Sequence, residues 1–188
     1  MKRKALVAGV AVLGSVAAAC GGTPEESPAP PPQGGAETSA GEPSSARSAP
    51  AKSIDVADKC SIVSEQQWRQ LGAVLPPRER VSNGNPGCQY QASEAGTTGW
   101  GVFVAAADDG TYSDQLAMNE EPTATADIDG YPTAIFKESS GCIIYSDVAD
   151  QGYLLVNILQ TSPDDPGVDL CQKGQDFAKA AIQNLPNA

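Results

Sequence analysis

Five cysteines in 188 residues, one at position 20 and four spread between positions 60 and 171, constrain this chain more than any other feature. Cys20 follows Met1-Lys2-Arg3-Lys4 and the apolar run from Ala5 to Ala19, with Ala17-Ala18-Ala19 just before it. A charged start, a short apolar stretch and small residues before a cysteine are the layout of a bacterial lipoprotein export signal. Fifteen apolar residues are fewer than the roughly 20 a membrane-spanning helix needs. Cleavage before Cys20 and acylation of its thiol with palmitate-type chains are therefore expected. Two acyl chains at about 0.8 kcal/mol per buried CH₂ give stable anchoring where one does not. The expected location is the outer face of the cytoplasmic membrane, with the lipid bilayer as first partner.

Such a compartment is oxidising, so the four later cysteines, Cys60, Cys88, Cys142 and Cys171, are expected to form two disulfides. Three connectivities are formally open. Cys60–Cys88 with Cys142–Cys171 is preferred, because each bridge then ties the start of a helix to a neighbouring strand. Zinc is not expected, since the spacing offers no close cysteine pair and the chain has no histidine.

Organisation follows from composition. Residues 1–19 read as the signal peptide. Residues 20–53, from the lipidated cysteine through a Pro/Gly/Ser/Ala-rich stretch containing Pro30-Pro31-Pro32, lack apolar periodicity and read as a disordered tether. Residues 54–188 read as a single globular domain. Without Lys2, Arg3 and Lys4, nine basic residues face 23 acidic ones, a charge of −14. That surface repels polyanions, so nucleic acid is not an expected partner.

Within the domain the pattern alternates between helix and strand. Ser64 to Gln67 is a capping box, and Trp68, Leu71 and Leu75 follow at helical spacing until Pro76-Pro77. Turn residues Asn83 to Gly87 lead into a strand over Cys88 to Gln91, and Trp100 to Ala105 reads as a strand buried on both faces. Ser113 is placed to cap a short helix reaching Asn119. Tyr131 to Lys137, Cys142 to Ser146 and Tyr153 to Gln160 read as strands of two hairpins. A last helix after Asp169 carries Phe177, Ala181, Ile182 and Leu185 on one stripe and stops at Pro186. The expected fold is α+β, an antiparallel sheet of about five strands flanked by N- and C-terminal helices and stapled by two disulfides.

These residues carry a family resemblance. Asp58-Lys-Cys-Ser-Ile-Val-Ser64 running to Leu71-Gly72, Cys88-Gln-Tyr90, Asp129-Gly-Tyr-Pro-Thr-Ala134 with Cys142 beyond, and Asp169-Leu-Cys171 leading to Leu185-Pro186 resemble an uncharacterised family of actinobacterial lipoproteins, domain of unknown function 3558. Lys59 stands where that pattern often has proline, and Tyr90 where tryptophan is common. More loosely, the two-disulfide plan resembles the extracellular sensor domains of certain mycobacterial serine/threonine kinases, which carry a cleft between sheet and helix. Neither resemblance implies a catalytic residue, a cofactor or a ligand.

Chemistry is sparsely provided. Without histidine, Ser-His-Asp and Cys-His nucleophiles cannot be assembled, and no phosphate-cradling glycine motif follows the signal. Asp127-Ile-Asp129-Gly130 and Asp164-Asp165 suggest calcium but fall short of a full loop pattern. No metal, cofactor or catalytic residue is expected, and the chain is read as no enzyme. Trp100, set between two glycines, together with Tyr112 and Tyr131, is the candidate floor of a ligand cleft. The reading that follows is a non-catalytic binding or sensor-like domain for an envelope component or small ligand. The alternatives are a protein-interaction subunit docking on a membrane or secretion complex, and a carboxylate-dependent glycosidase.

Overall fold

The computed structural model describes residues 47–94, 97–161 and 167–188. Ten elements follow in chain order: α1 (Glu65–Gln70), β1 (Arg78–Ser82), β2 (Asn85–Gln91), β3 (Trp100–Ala107), α2 (Tyr112–Met118), β4 (Ala124–Ile128), β5 (Tyr131–Glu138), β6 (Gly141–Ala149), β7 (Gly152–Gln160) and α3 (Leu170–Asn184). The strands form one antiparallel sheet in the order β1-β2-β3-β7-β6-β5-β4. Seven strands replace the expected five or so. The two additions, β1 and β4, are the edges, paired to one neighbour each and exposed over most of their length. Edge strands owe their existence to backbone pairing and show little apolar alternation, which is the signal a sequence reading depends on.

The capping box at Ser64 is present, with Gln67 Oε1 accepting the Ser64 N–H at 2.9 Å. The helix then ends at Gln70, well before Pro76. Gly72 stops it by adopting φ +91°, the left-handed conformation that glycine takes at no steric cost. Val74 and Leu75 both turn their N–H groups to the carbonyl of Gln91, at 2.9 and 3.2 Å, so this stretch lies along the end of β2. Likewise α2 is capped by Thr111 and not by Ser113, because Thr111 and Asp114 satisfy one another.

Two layers hold the sheet. On its first face α3 lies across β6 and β7, and Phe177, Ala178, Ala181 and Ile182 are buried against Tyr90, Trp100, Ile144 and Ile158. Gly174 brings the helix close, since a Cβ there would sit 2.7 Å from Ile144 Cδ1. On the second face Phe103, Ala105, Ala107, Tyr145, Tyr153 and Leu155 form a smaller cluster edged by Tyr112 of α2. Two disulfides complete the frame. Cys60–Cys88 joins the approach to α1 to β2, and Cys142–Cys171 joins β6 to the first turn of α3, with Cα separations of 4.9 and 5.2 Å. Both are the preferred pairing.

The folded region begins earlier than residue 54. Residues 47–53, read from composition as part of the tether, are bonded to the domain: Ser48 N–H donates to Gly130 O at 3.0 Å and Lys52 N–H to Val148 O at 2.7 Å. Backbone donors and acceptors carry no compositional signature, so a Ser/Ala/Pro segment can be held without an apolar stripe.

Candidate functional site

The three aromatics expected to floor one cleft do not meet. Trp100 is only 5% exposed and packs edge-on against Phe177, ring centroids 5.6 Å apart, beneath α3. Tyr131 is buried and donates its hydroxyl to Pro50 O at 2.6 Å, tying down residues 47–53. Tyr112 lies on the opposite face of the sheet, at the margin of the smaller cluster. Of the glycines beside Trp100, Gly99 lies against Ser93 and Gly101 against Gln89 and Gln91, while the ring itself lies next to Gly72. Cys20 lies outside the described residues, as do Asp164 and Asp165. Asp127 Oδ1 accepts the Gly130 N–H at 2.8 Å, and Asp129 is engaged by Lys179 and Gln183, so both aspartates serve the β4–β5 turn.

Concavity occurs instead on the outer side of the helical layer. A groove of about 250 Å³ between α1 and α3 is lined by Gln67, Gln70, Leu71, Asp176, Lys179, Ala180 and Gln183. Its two walls are set by long-range contacts: Asn184 Nδ2 donates to Ile62 O at 3.1 Å and to Gln67 Oε1 at 2.5 Å, and Lys173 Nζ donates to Leu71 O at 3.0 Å. These hydrogen bonds hold a six-residue helix beside a fifteen-residue one. A helix as short as α1 is marginal by itself. Trp68, buried beneath Arg69 whose guanidinium lies 4.5 Å from the ring centroid, supplies its apolar footing.

The groove's chemistry is that of amides over a short aliphatic floor. Each glutamine carries both a donor and an acceptor, Lys179 donates and Asp176 accepts. Gln67 Oε1 is already committed to Ser64 and Asn184, whereas the Gln70 side chain makes no hydrogen bond among the described residues. Asp176 is the one carboxylate among the lining residues, so the lining offers no pair of carboxylates. Among the described residues no cluster of three His, Cys, Asp or Glu could hold a metal ion, and no helix is long and apolar enough to cross a membrane.

The family model described as Protein of unknown function (DUF3558) matches residues 15–184. The chain belongs to that family. The match contains Cys20, the four bridged cysteines and both walls of the groove. No curated protein matches the chain, and no solved structure does.

This DUF3558 domain also has a pronounced tyrosine chemistry. All five tyrosines have hydroxyl pKa values raised by burial, Tyr90 and Tyr153 furthest, and in Tyr153 the hydrogen bond to Asp109 Oδ1 at 2.6 Å adds to the effect. A raised folded-state pKa gives stability that is fully present below the unfolded value near 10 and is lost as pH rises through the folded value. With no histidine to titrate, stability is expected to stay level between about pH 6 and 9 and then to fall steeply above 10. Absorbance at 295 nm and far-UV circular dichroism, followed against pH, should change together. Tyrosine ionisation at ordinary pKa in a folded domain would contradict the burial.

Proposed function

We propose that this DUF3558 protein is a lipid-anchored, non-catalytic binding domain on the outer face of the cytoplasmic membrane. Its groove between α1 and α3 takes a neutral, hydrogen-bonding envelope component such as a glycan or the peptide attached to one. The observation that carries the reading is the lining of that groove: three glutamines, one aspartate and one lysine over Leu71 and Ala180. Glycan hydroxyls and peptide units both donate and accept, which is what side-chain amides match. The volume is below the roughly 300 Å³ at which drug-sized pockets begin, so the ligand is engaged one or two units at a time. The lining departs from the apolar pocket that an aromatic floor would have made. The export signal and the thiol of Cys20 support the membrane location.

Titration of the isotope-labelled protein with a soluble disaccharide-peptide of peptidoglycan, followed by amide chemical shifts, tests the binding. Shifts are expected along α1 and α3, with at least a tenfold loss of affinity in the Gln70→Ala, Gln183→Ala variant. Absence of shifts at millimolar probe, or shifts elsewhere only, would overturn it. For the anchor, Cys20→Ser is expected to leave the membrane fraction, and its retention there would sink that half of the proposal.

A further inference from the structure

Residues 47–53 belong to no element of the sheet, yet almost every one of them is held. Besides Ser48 and Lys52, Ser53 N–H donates to Pro186 O at 2.8 Å, and Ala51 O accepts from Ala188 N–H at 2.9 Å. Lys52 and Asn187 form an antiparallel bridge, and Lys52 Nζ donates to Asn187 Oδ1 at 3.1 Å. Ala49 fills the space over Gly130, where a Cβ would approach it to 2.8 Å. At the outer end, the Arg47 side chain is 6% exposed and paired with Asp147 at 2.8 Å and with Asp150. Taking a guanidinium out of water costs several kcal/mol unless its partners are in place. A buried, doubly paired arginine is therefore a specific closure, not an incidental surface contact.

We infer that residues 47–53 and 186–188 form a clasp, closed by Arg47, that grips the domain ahead of Ile54. The clasp sits at the end of the sheet that carries the β4–β5 and β6–β7 turns, through Gly130, Val148 and Asp150. Among the described residues, force along the preceding chain first meets the sheet through this ion-paired segment. Opening the clasp frees seven residues, which at 3.3–3.6 Å each extend the tether by at most about 25 Å. The fold thus holds a tether of two lengths, and carboxylates of β6 and its turn set which is populated.

Amide hydrogen exchange on the full chain in detergent micelles tests this. The amides of Ser48, Lys52, Ser53 and Ala188 are expected to exchange at least a hundredfold more slowly than unstructured peptide. In Arg47→Ala their protection is expected to fall at least tenfold while that of Val156 in β7 is unchanged, with part of the loss recovered in Arg47→Lys. Unprotected amides in the unaltered chain, protection indifferent to Arg47→Ala, or loss that spreads equally to Val156 would each overturn the clasp.

Discussion

Phe177→Ala is expected to lower the unfolding free energy by about 3–5 kcal/mol, the cost of truncating a fully buried phenylalanine. Phe177 has no exposed surface and is the residue through which α3 meets the sheet. Its ring lies 5.5 Å from that of Tyr90 on β2 and 5.6 Å from that of Trp100 on β3, two aromatic pairs that alanine removes together. Each such pair adds roughly 0.5–1.5 kcal/mol beyond area burial. Relaxation into the space left is limited, because Tyr90 is fixed by its hydroxyl on Cys60 O at 3.1 Å and Trp100 by the β3 pairing. Against a total stability of about 5–15 kcal/mol this is a large fraction. Denaturant titration should show the midpoint falling with an unchanged slope. A loss under about 1 kcal/mol would mean that α3 does not pack through Phe177.

Removing both disulfides is the second large effect. Each closes a loop of almost equal length, with sequence separations of 28 and 29. In the chain-entropy model each is worth about 3.5 kcal/mol, so the pair approaches the whole stability of an ordinary domain. The two losses are expected to differ in character. Without Cys142–Cys171, α3 keeps its fifteen residues and its apolar stripe, so the domain melts lower but as one unit. Without Cys60–Cys88, the six-residue α1 keeps Trp68, the Asn184 hydrogen bonds and the Lys173 bond at Leu71, and one wall of the groove loosens first. Calorimetry of Cys142→Ser, Cys171→Ser beside Cys60→Ser, Cys88→Ser separates these outcomes. Equal melting temperatures with and without reductant would show that the bridges contribute nothing.

The elements legible in the sequence are those whose own residues record which side is buried. The stripe of Phe177, Ala181, Ile182 and Leu185 marks α3, Asp169 caps it by accepting the Gln172 N–H at 3.0 Å, and the apolar run at Trp100 marks a central strand covered on both faces. The capping box at Ser64 marks where α1 starts, but Gly72 ends it by a backbone conformation that neighbouring prolines gave no hint of.

The candidate site was hidden for a related reason. Large aromatics attract attention as ligand floors, yet burial rewards them most, and Trp100 and Tyr131 went to the core and to the clasp. Glutamines on the solvent side of two helices look like ordinary surface until the helices are set side by side. Gln67 and Gln183 lie more than a hundred residues apart, as do Gln67 and Asn184, which bond directly.

Order along the chain was therefore enough for two disulfides, the preferred one of their three pairings and the helix–sheet class, because apolar spacing, caps and thiol count are local quantities. Tertiary structure alone decided the edge strands, the clasp at Arg47 and the groove. All three depend on hydrogen bonds and ion pairs whose partners are distant in sequence, and a polar group does not announce in advance which remote partner will satisfy it.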